Sequence, residues 1–187
     1  MENLSLKYQY DISKDNRLIF SSEIGECHSF VKAWLIYLTS AIGGAYSFNL
    51  KDTSNVTRSA STDMNYSMNV TQGAGTTTSG IVVGTGTNAV ALDDYALQTK
   101  IAHGAGAGQL QYSACTVGAP GYTASTITET ITRVFTNASG GTITIEEIGI
   151  YGMAYNGPYY CLARDLATIE LLNGAQLTLN YILEVSI

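Results

Sequence analysis

The chain is short of charge. Only 13% of its 187 residues are Asp, Glu, Lys or Arg, about half the usual share for a globular domain. Nine basic residues against 15 acidic ones leave a net charge of −6. The basic residues are scattered from Lys7 to Arg164 without a run. A nucleic-acid footprint needs clustered Lys and Arg, so nucleic acid is not an expected partner. Histidine is scarce too, with only His28 and His103. Cys27-His28 is one adjacent pair with no second pair at ligand spacing, so no metal site is expected. The three cysteines, Cys27, Cys115 and Cys161, are far apart and odd in number. That argues against a disulfide framework and for buried free thiols in a reducing compartment.

Other absences narrow the function further. No stretch reaches eighteen consecutive apolar residues, so no transmembrane helix and no membrane partner are expected. Met1-Glu2-Asn3-Leu4 lacks a basic region followed by an apolar segment, so no secretory signal is expected. The Asn-x-Ser/Thr triplets at Asn3, Asn55, Asn65, Asn69 and Asn137 are then incidental to a Thr- and Ser-rich composition. There is no Gly-x-Ser-x-Gly elbow and no Gly-Lys-Ser/Thr phosphate loop.

Thr, Ser, Asn and Gly supply the polarity instead, beside 13 tyrosines and a 45% apolar fraction. Low charge with many aromatics suits a surface largely covered by neighbouring subunits. The length fits one domain, residues 1–187, with enough chain to bury a core.

Two-residue periodicity dominates. Leu177, Leu179, Tyr181, Leu183, Val185 and Ile187 occupy every odd position of the last eleven residues, so this is a long strand with one buried face. Asn173-Gly174 before it reads as a hairpin turn. Thr142-Ile143-Thr144-Ile145 alternates likewise after the turn residues 137–141. Ile143 and Ile145 are odd whereas Ile148 and Ile150 are even, so a β-bulge at Glu146-Glu147 is expected to keep all four inside. The competing reading makes those carboxylates an acid/base pair, but adjacent residues of a strand point apart. At the other end, Leu4, Leu6, Tyr8, Tyr10 and Ile12 alternate. Residues 14–17 turn the chain into Leu18-Ile19-Phe20.

The period changes at Phe30, Trp34, Leu38 and Ile42, which recur every four residues. This predicts one N-terminal helix over about 25–41, stopped by Gly43-Gly44. Trp34 reads as packing rather than ligand stacking. A strand is expected within 46–56. Residues 53–79 are polar and weakly patterned, and are read as a long arm ordered by a neighbour or as a loose hairpin.

Gly80-Ile81-Val82-Val83-Gly84-Thr85-Gly86-Thr87-Asn88-Ala89 matches the dinucleotide fingerprint Gly-x-Gly-x-x-Ala on paper. The context argues against it. Asp93-Asp94 arrives too early for the ribose acid, and a second glycine-rich loop follows at 104–108 in place of a helix and a parallel strand. Asp93-Asp94 is read as the cap of a short helix at Tyr95-Ala96-Leu97. Tyr151, Tyr155, Tyr159 and Tyr160 around Asn156-Gly157-Pro158 offer a possible stacking platform for a glycan, against the plainer reading of a hairpin buried on a neighbour.

The run 80–87, with residues 92–97, Lys100-Ile101, His103-Gly104 and Gln109-Leu110-Gln111-Tyr112, resembles a recurrent pattern in structural proteins of tailed bacteriophages. So do residues 132–137 and 139–144, Glu147-Ile148-Gly149-Ile150-Tyr151, Ala163-Arg164-Asp165 and residues 174–178. The resemblance covers roughly residues 80–187 and is loose before that, apart from Ser29-Phe30-Val31. It implies a virion component, assembled in the host cytoplasm, and not a defined role. It supplies no catalytic residue. Low charge, strand edges and Gly-rich loops make a homo-oligomer contacting capsid, neck or tail proteins the expected partner set.

The expectation is therefore a mainly β fold, an antiparallel β-sandwich or jelly-roll-like barrel with one N-terminal α-helix. The expected role is non-enzymatic: a head decoration or auxiliary protein, or a ring, collar or tail component. No catalytic, cofactor-binding or metal residues are assigned. The alternative role is a receptor- or glycan-binding module of a tail or fibre.

Overall fold

The computed structural model describes residues 3–27, 30–36, 47–61, 69–154 and 158–186. It is mainly β, 58% strand and 3% helix, and its paired strands all run antiparallel. In chain order the strands are β1 (Asn3–Lys14), β2 (Arg17–Ser21), β3 (Gly25–Cys27), β4 (Ser47–Lys51), β5 (Thr57–Ser61) and β6 (Gly80–Gly84). They continue as β7 (Gln111–Val117), β8 (Gly121–Tyr122), β9 (Thr126–Thr136), β10 (Ile143–Met153), β11 (Tyr159–Leu171) and β12 (Ala175–Ser186).

The largest sheet has the order β2-β1-β12-β9-β7, with β3 also on β1 and β8 also on β9. A second sheet is β11-β10-β6, and β4 and β5 form a hairpin of their own. The alternation in β12 is as the sequence predicts for Leu177, Leu179 and Tyr181, which are fully buried, whereas Val185 on the same face is exposed and Ile187 lies outside the described residues. Cross-strand register assembles them into rows. Phe20, Ile12, Leu177, Phe135 and Tyr112 lie opposite one another across five strands. Within this row the Tyr112 and Phe135 rings meet edge to face at 4.8 Å. Leu177, Phe135 and Tyr112 of this row are buried, and each large side chain so buried contributes roughly 1.5–3 kcal/mol.

The turn at residues 14–17 is a two-residue hairpin. Asp15 and Asn16 take φ of 53° and 60°, the left-handed pair that matches strand twist. The helix expectation needs correction. Gly25–Cys27 is a strand, because the edge of β1 beyond β2 is open and takes up Gly25, Glu26 and Cys27 opposite Tyr8, Lys7 and Leu6. One helical turn spans 32–36, and the four-residue spacing of Phe30 and Trp34 stacks their rings at 4.7 Å. Residues 37–41 of the expected helix lie outside the described residues.

Two connections differ from the hairpins that the turn signals suggest. Gly174 has φ +80° and Ala175 N donates to Leu172 O at 3.0 Å, so the turn is tight. Yet β11 and β12 belong to different sheets. Both edges of β12 are already taken by β1 and β9, so the chain arches from one sheet to the other. Residues 137–142 make a second arch, from β9 to β10.

Asn137 fastens the two arches together. Its Nδ2 donates to Gly141 O at 2.8 Å and Leu171 O at 2.7 Å. Its Oδ1 accepts from Ser139 N and Ser139 Oγ, and its carbonyl accepts from Gly174 N at 2.7 Å. The apparent glycosylation triplet is therefore a fully buried structural asparagine. Asn173 Oδ1 completes the fastening by accepting from Gly140 N at 2.9 Å.

The bulge expectation needs correction: the irregularity lies beside Glu146-Glu147, but β10 itself carries no extra residue there. The β10–β11 register shifts between Ile145 and Glu147. Two steps along β10 match three along β11, from Ile169 to Leu166, so the extra residue sits on β11. All four isoleucines are buried. From Glu147 to Gly152 every residue of β10 is buried, so that half of the strand is covered on both faces.

The polar stretch 53–79 is only partly arm-like. Thr57–Ser61 is β5, paired with β4. Residues 69–79 are strapped down by the chain itself. Asn69 bridges Met153, and Gln72 bridges Cys115. Gly75 N donates to Tyr112 O at 2.9 Å. Residues 62–68 lie outside the described residues.

Candidate functional site

The ionisable groups that the fold brings together converge on the glycine-rich segment after β6. Thr85 N donates to Thr99 O and Ile101 N to Val83 O, so residues 85–100 form a closed loop over β10. Beneath the loop sits the Glu147 carboxylate, with no exposed surface. Its Oε1 accepts from Gly86 N at 3.0 Å and Thr99 N at 2.7 Å. Its Oε2 accepts from Gln98 N at 3.0 Å and Arg164 Nε at 2.8 Å.

The Gly-x-Gly pattern has its physical reason here. A Cβ at Gly84 or at Gly86 would stand 2.5 Å from Glu147 Oε1, closer than side-chain carbon and oxygen tolerate. The backbone cradle that the sequence pattern suggests for a phosphate is filled by the chain's own carboxylate. The strand β6 also pairs antiparallel with β10, and no helix follows it. Both features depart from the dinucleotide-binding unit.

Arg164, 2% exposed, holds three groups of the loop and strand at once. Besides Glu147, its Nη1 donates to Asp94 Oδ2 at 2.9 Å and its Nη2 to Asn88 O at 3.0 Å. Burial alone would lower the guanidinium pKa. The hydrogen bonds to Glu147 and Asp94 outweigh that and hold it above the ordinary value. Asp94 also accepts from Ala91 N at 2.9 Å, so it caps a turn. The short helix expected at 95–97 does not form, because the carboxylate is committed to Ala91 and Arg164. With both oxygens saturated by donors, the Glu147 carboxylate clamps a loop and has no lone pair free for proton transfer.

A second buried cation closes the other side of β6. Arg133 is fully buried. Its Nε donates to Ser113 O, its Nη1 to Ser79 O and Ile81 O, and its Nη2 to Thr76 O. Its guanidinium lies 4.9 Å from the Tyr112 ring centroid. Among the described residues no salt bridge includes Arg133, and burial lowers its pKa. Four carbonyl oxygens carry the satisfaction that a carboxylate would otherwise supply. A third polar cluster lies between β3, β11 and β12. There the Cys27 thiol donates to the Asp165 carboxylate, and the buried Tyr181 hydroxyl has no hydrogen-bond partner among the described residues.

The residues singled out from sequence fall as follows. His28 lies outside the described residues. His103 accepts from Tyr112 N through Nδ1 at 3.1 Å. Cys27, Cys115 and Cys161 are buried, and burial pushes the last two up in pKa. Among the described residues, no group of three or more His, Cys, Asp or Glu is placed to hold a metal ion, and no helix is long and apolar enough to cross a membrane. Of the tyrosine platform, Tyr151 and Tyr160 are buried, Tyr159 is half-buried and Tyr155 lies outside the described residues. Tyr151 spends its hydroxyl on Leu97 N at 2.6 Å. Two of the four rings are thus core.

Sequence reasoning passed over Arg133 and Arg164. In Ile127, Glu129, Ile131, Arg133, Phe135, the arginine stands at the phase of buried apolar residues, which is the signal that marks it. No family model matches this chain, and no curated protein or solved structure matches it either.

Proposed function

We propose that this chain is a non-enzymatic structural subunit of a tailed-bacteriophage virion, a head decoration or auxiliary protein or a ring, collar or tail component. It assembles in the host cytoplasm and acts by packing against copies of itself and against neighbouring virion proteins. The observation that carries this reading is how the buried charges are used. Glu147, Arg164, Asp94 and Arg133 are consumed in holding loops against strands, and the Gly-x-Gly cradle is filled from within. The resemblance over residues 80–187 points the same way, as does a surface of low charge with apolar side chains left exposed at Leu18, Ile19, Phe20 and Tyr122.

In this reading the two larger sheets are the layers of a β-sandwich, joined by the arches at Asn137 and Asn173. Subunit contacts fall on the exposed parts of residues 53–79, at Ser54, Asn55 and Val56, and on the exposed loop Ala105-Gly106-Ala107-Gly108. Hydrogen exchange of the free chain against the assembled particle tests the placement. Protection gained at both loops on assembly supports it, and equal exchange in the two states refutes it.

A further inference from the structure

The core-facing side of the largest sheet does not end where its burial ends. Leu4 of β1 lies opposite Val185 of β12, Val185 opposite Ile127 of β9, and Ile127 opposite Tyr122 of β8. Residues directly opposite in a ladder share a face. The pairing of β1, β12 and β9 runs without a register shift, so this row stands on the same side as the buried Leu6 and Tyr181. Yet its members are 49%, 39%, 49% and 72% exposed.

We propose that this row, Leu4–Val185–Ile127–Tyr122, is the docking surface for a second copy of the same chain. Its exposed parts amount to on the order of 400 Å² of apolar surface, within the range of the largest patches found on monomers. A standard interface buries about 800 Å² per partner, of which about 57% is apolar. The row with a polar rim is therefore the size that one side of a two-fold dimer carries. Its order is also self-complementary. A two-fold axis lying in the plane of the interface, parallel to the strands and passing between Val185 and Ile127, sets Tyr122 of each copy over Leu4 of the other and Ile127 over Val185, so large meets smaller throughout. The row is uncharged, which lets two chains of net charge −6 meet without opposing carboxylates at the centre. The nearest acid on that face, Glu129, stands opposite Leu183, one pair further along the strands. The inference rests on the subunit-packing reading in one respect, that the chain pairs with itself.

Sedimentation equilibrium of the full chain, from about 1 to 200 µM, tests it. The expected result is a concentration-dependent rise to about twice 19.9 kDa. Ile127→Asp and, separately, Tyr122→Ser each weaken the association at least tenfold, while the circular dichroism spectrum is unchanged. Tyr122 lies in a two-residue edge strand, so its variant keeps the test valid should Ile127→Asp fail to fold. Leu172→Asp, exposed at the opposite end of β12 from Val185, leaves the dimer intact. A wild type that stays monomeric at 200 µM overturns the proposal, and so does a dimer that survives both row variants or is broken by Leu172→Asp alone. Whether the chain belongs to a virion is read separately, from particle association, so failure of this surface and failure of that reading are distinguishable.

Discussion

Glu147 and Arg164 face each other across β10 and β11 with Nε and Oε2 2.8 Å apart, and neither side chain is more than 2% exposed. Two charges removed from water cost several kcal/mol each unless every lone pair and proton finds a partner. Here the partners are Gly86, Gln98, Thr99, Asp94 and Asn88. Removing one charge strands the other, so Glu147→Gln and Arg164→Met each destabilise by roughly 3–5 kcal/mol, lowering the melting temperature by about 10 °C. The double variant costs less than the sum of the two. Calorimetry of the four proteins checks this, and additive losses would refute the coupling.

Arg133 makes its contacts with carbonyl oxygens of Ser113, Ser79, Ile81 and Thr76. Arg133→Met fills much of the same space but leaves those carbonyls unsatisfied, at about 1–3 kcal/mol for each that water cannot reach. Arg133→Lys does not rescue, because one ammonium cannot span the fork of contacts. Chemical denaturation of the three proteins reads the result. A lysine variant as stable as wild type contradicts this account of the site.

Asn137 binds both arches through its amide. Asn137→Asp keeps the shape and the acceptor but loses both donors to Gly141 and Leu171, and sets a carboxylate against their carbonyls. A loss of at least 2–3 kcal/mol follows. The same burial predicts that the native fold offers no acceptor at Asn137 to an oligosaccharyl transferase. Peptide mapping after folding in vitro and exposure to the enzyme checks this.

Asp52 closes the turn between β4 and β5, accepting from Ser54 N at 2.9 Å and Val56 N at 3.0 Å, with Arg58 Nε at 2.5 Å. Burial pushes its carboxyl pKa up, but the Arg58 hydrogen bond and the two backbone donors outweigh that and hold it below the ordinary 3.8. A depressed folded-state pKa means stability that is complete above the unfolded value and lost as pH falls through the folded one. The hairpin therefore keeps its full protection at neutral pH. It begins to lose it near pH 3.8 and loses the rest below the folded-state value. Amide exchange at Ser54 and Val56 against pH measures this, and Asp52→Asn removes the dependence.

Much of the sheet was legible because strand alternation is a local property. Leu177, Leu179 and Tyr181 declare their face, whereas the odd–even change at Ile145 and Ile148 reflects a strand covered on both faces and not an extra residue in it. Pairing partners were less legible. Asn173-Gly174 codes for a tight turn, but whether that turn joins neighbours or arches between sheets depends on β1 and β9, which are far away in sequence. The helix expectation failed at Gly25–Cys27 for the same reason, since the open edge of β1 lies about twenty residues upstream. The loop clamp was half-visible. Gly84-Thr85-Gly86 signalled an anion cradle, but the anion is Glu147, some sixty residues on. Arg133 was readable as a charge at an apolar phase of its strand.

The proposed place of the chain in an assembled virion is tested by raising an antibody against the full chain and probing tailed particles banded on a density gradient, by immunoblot and by gold labelling in the electron microscope. The expected result is that the chain bands with intact particles in many copies and that label falls at a repeating position on the head, neck or tail. A chain found wholly in the soluble fraction, with particles free of it, would contradict the proposal.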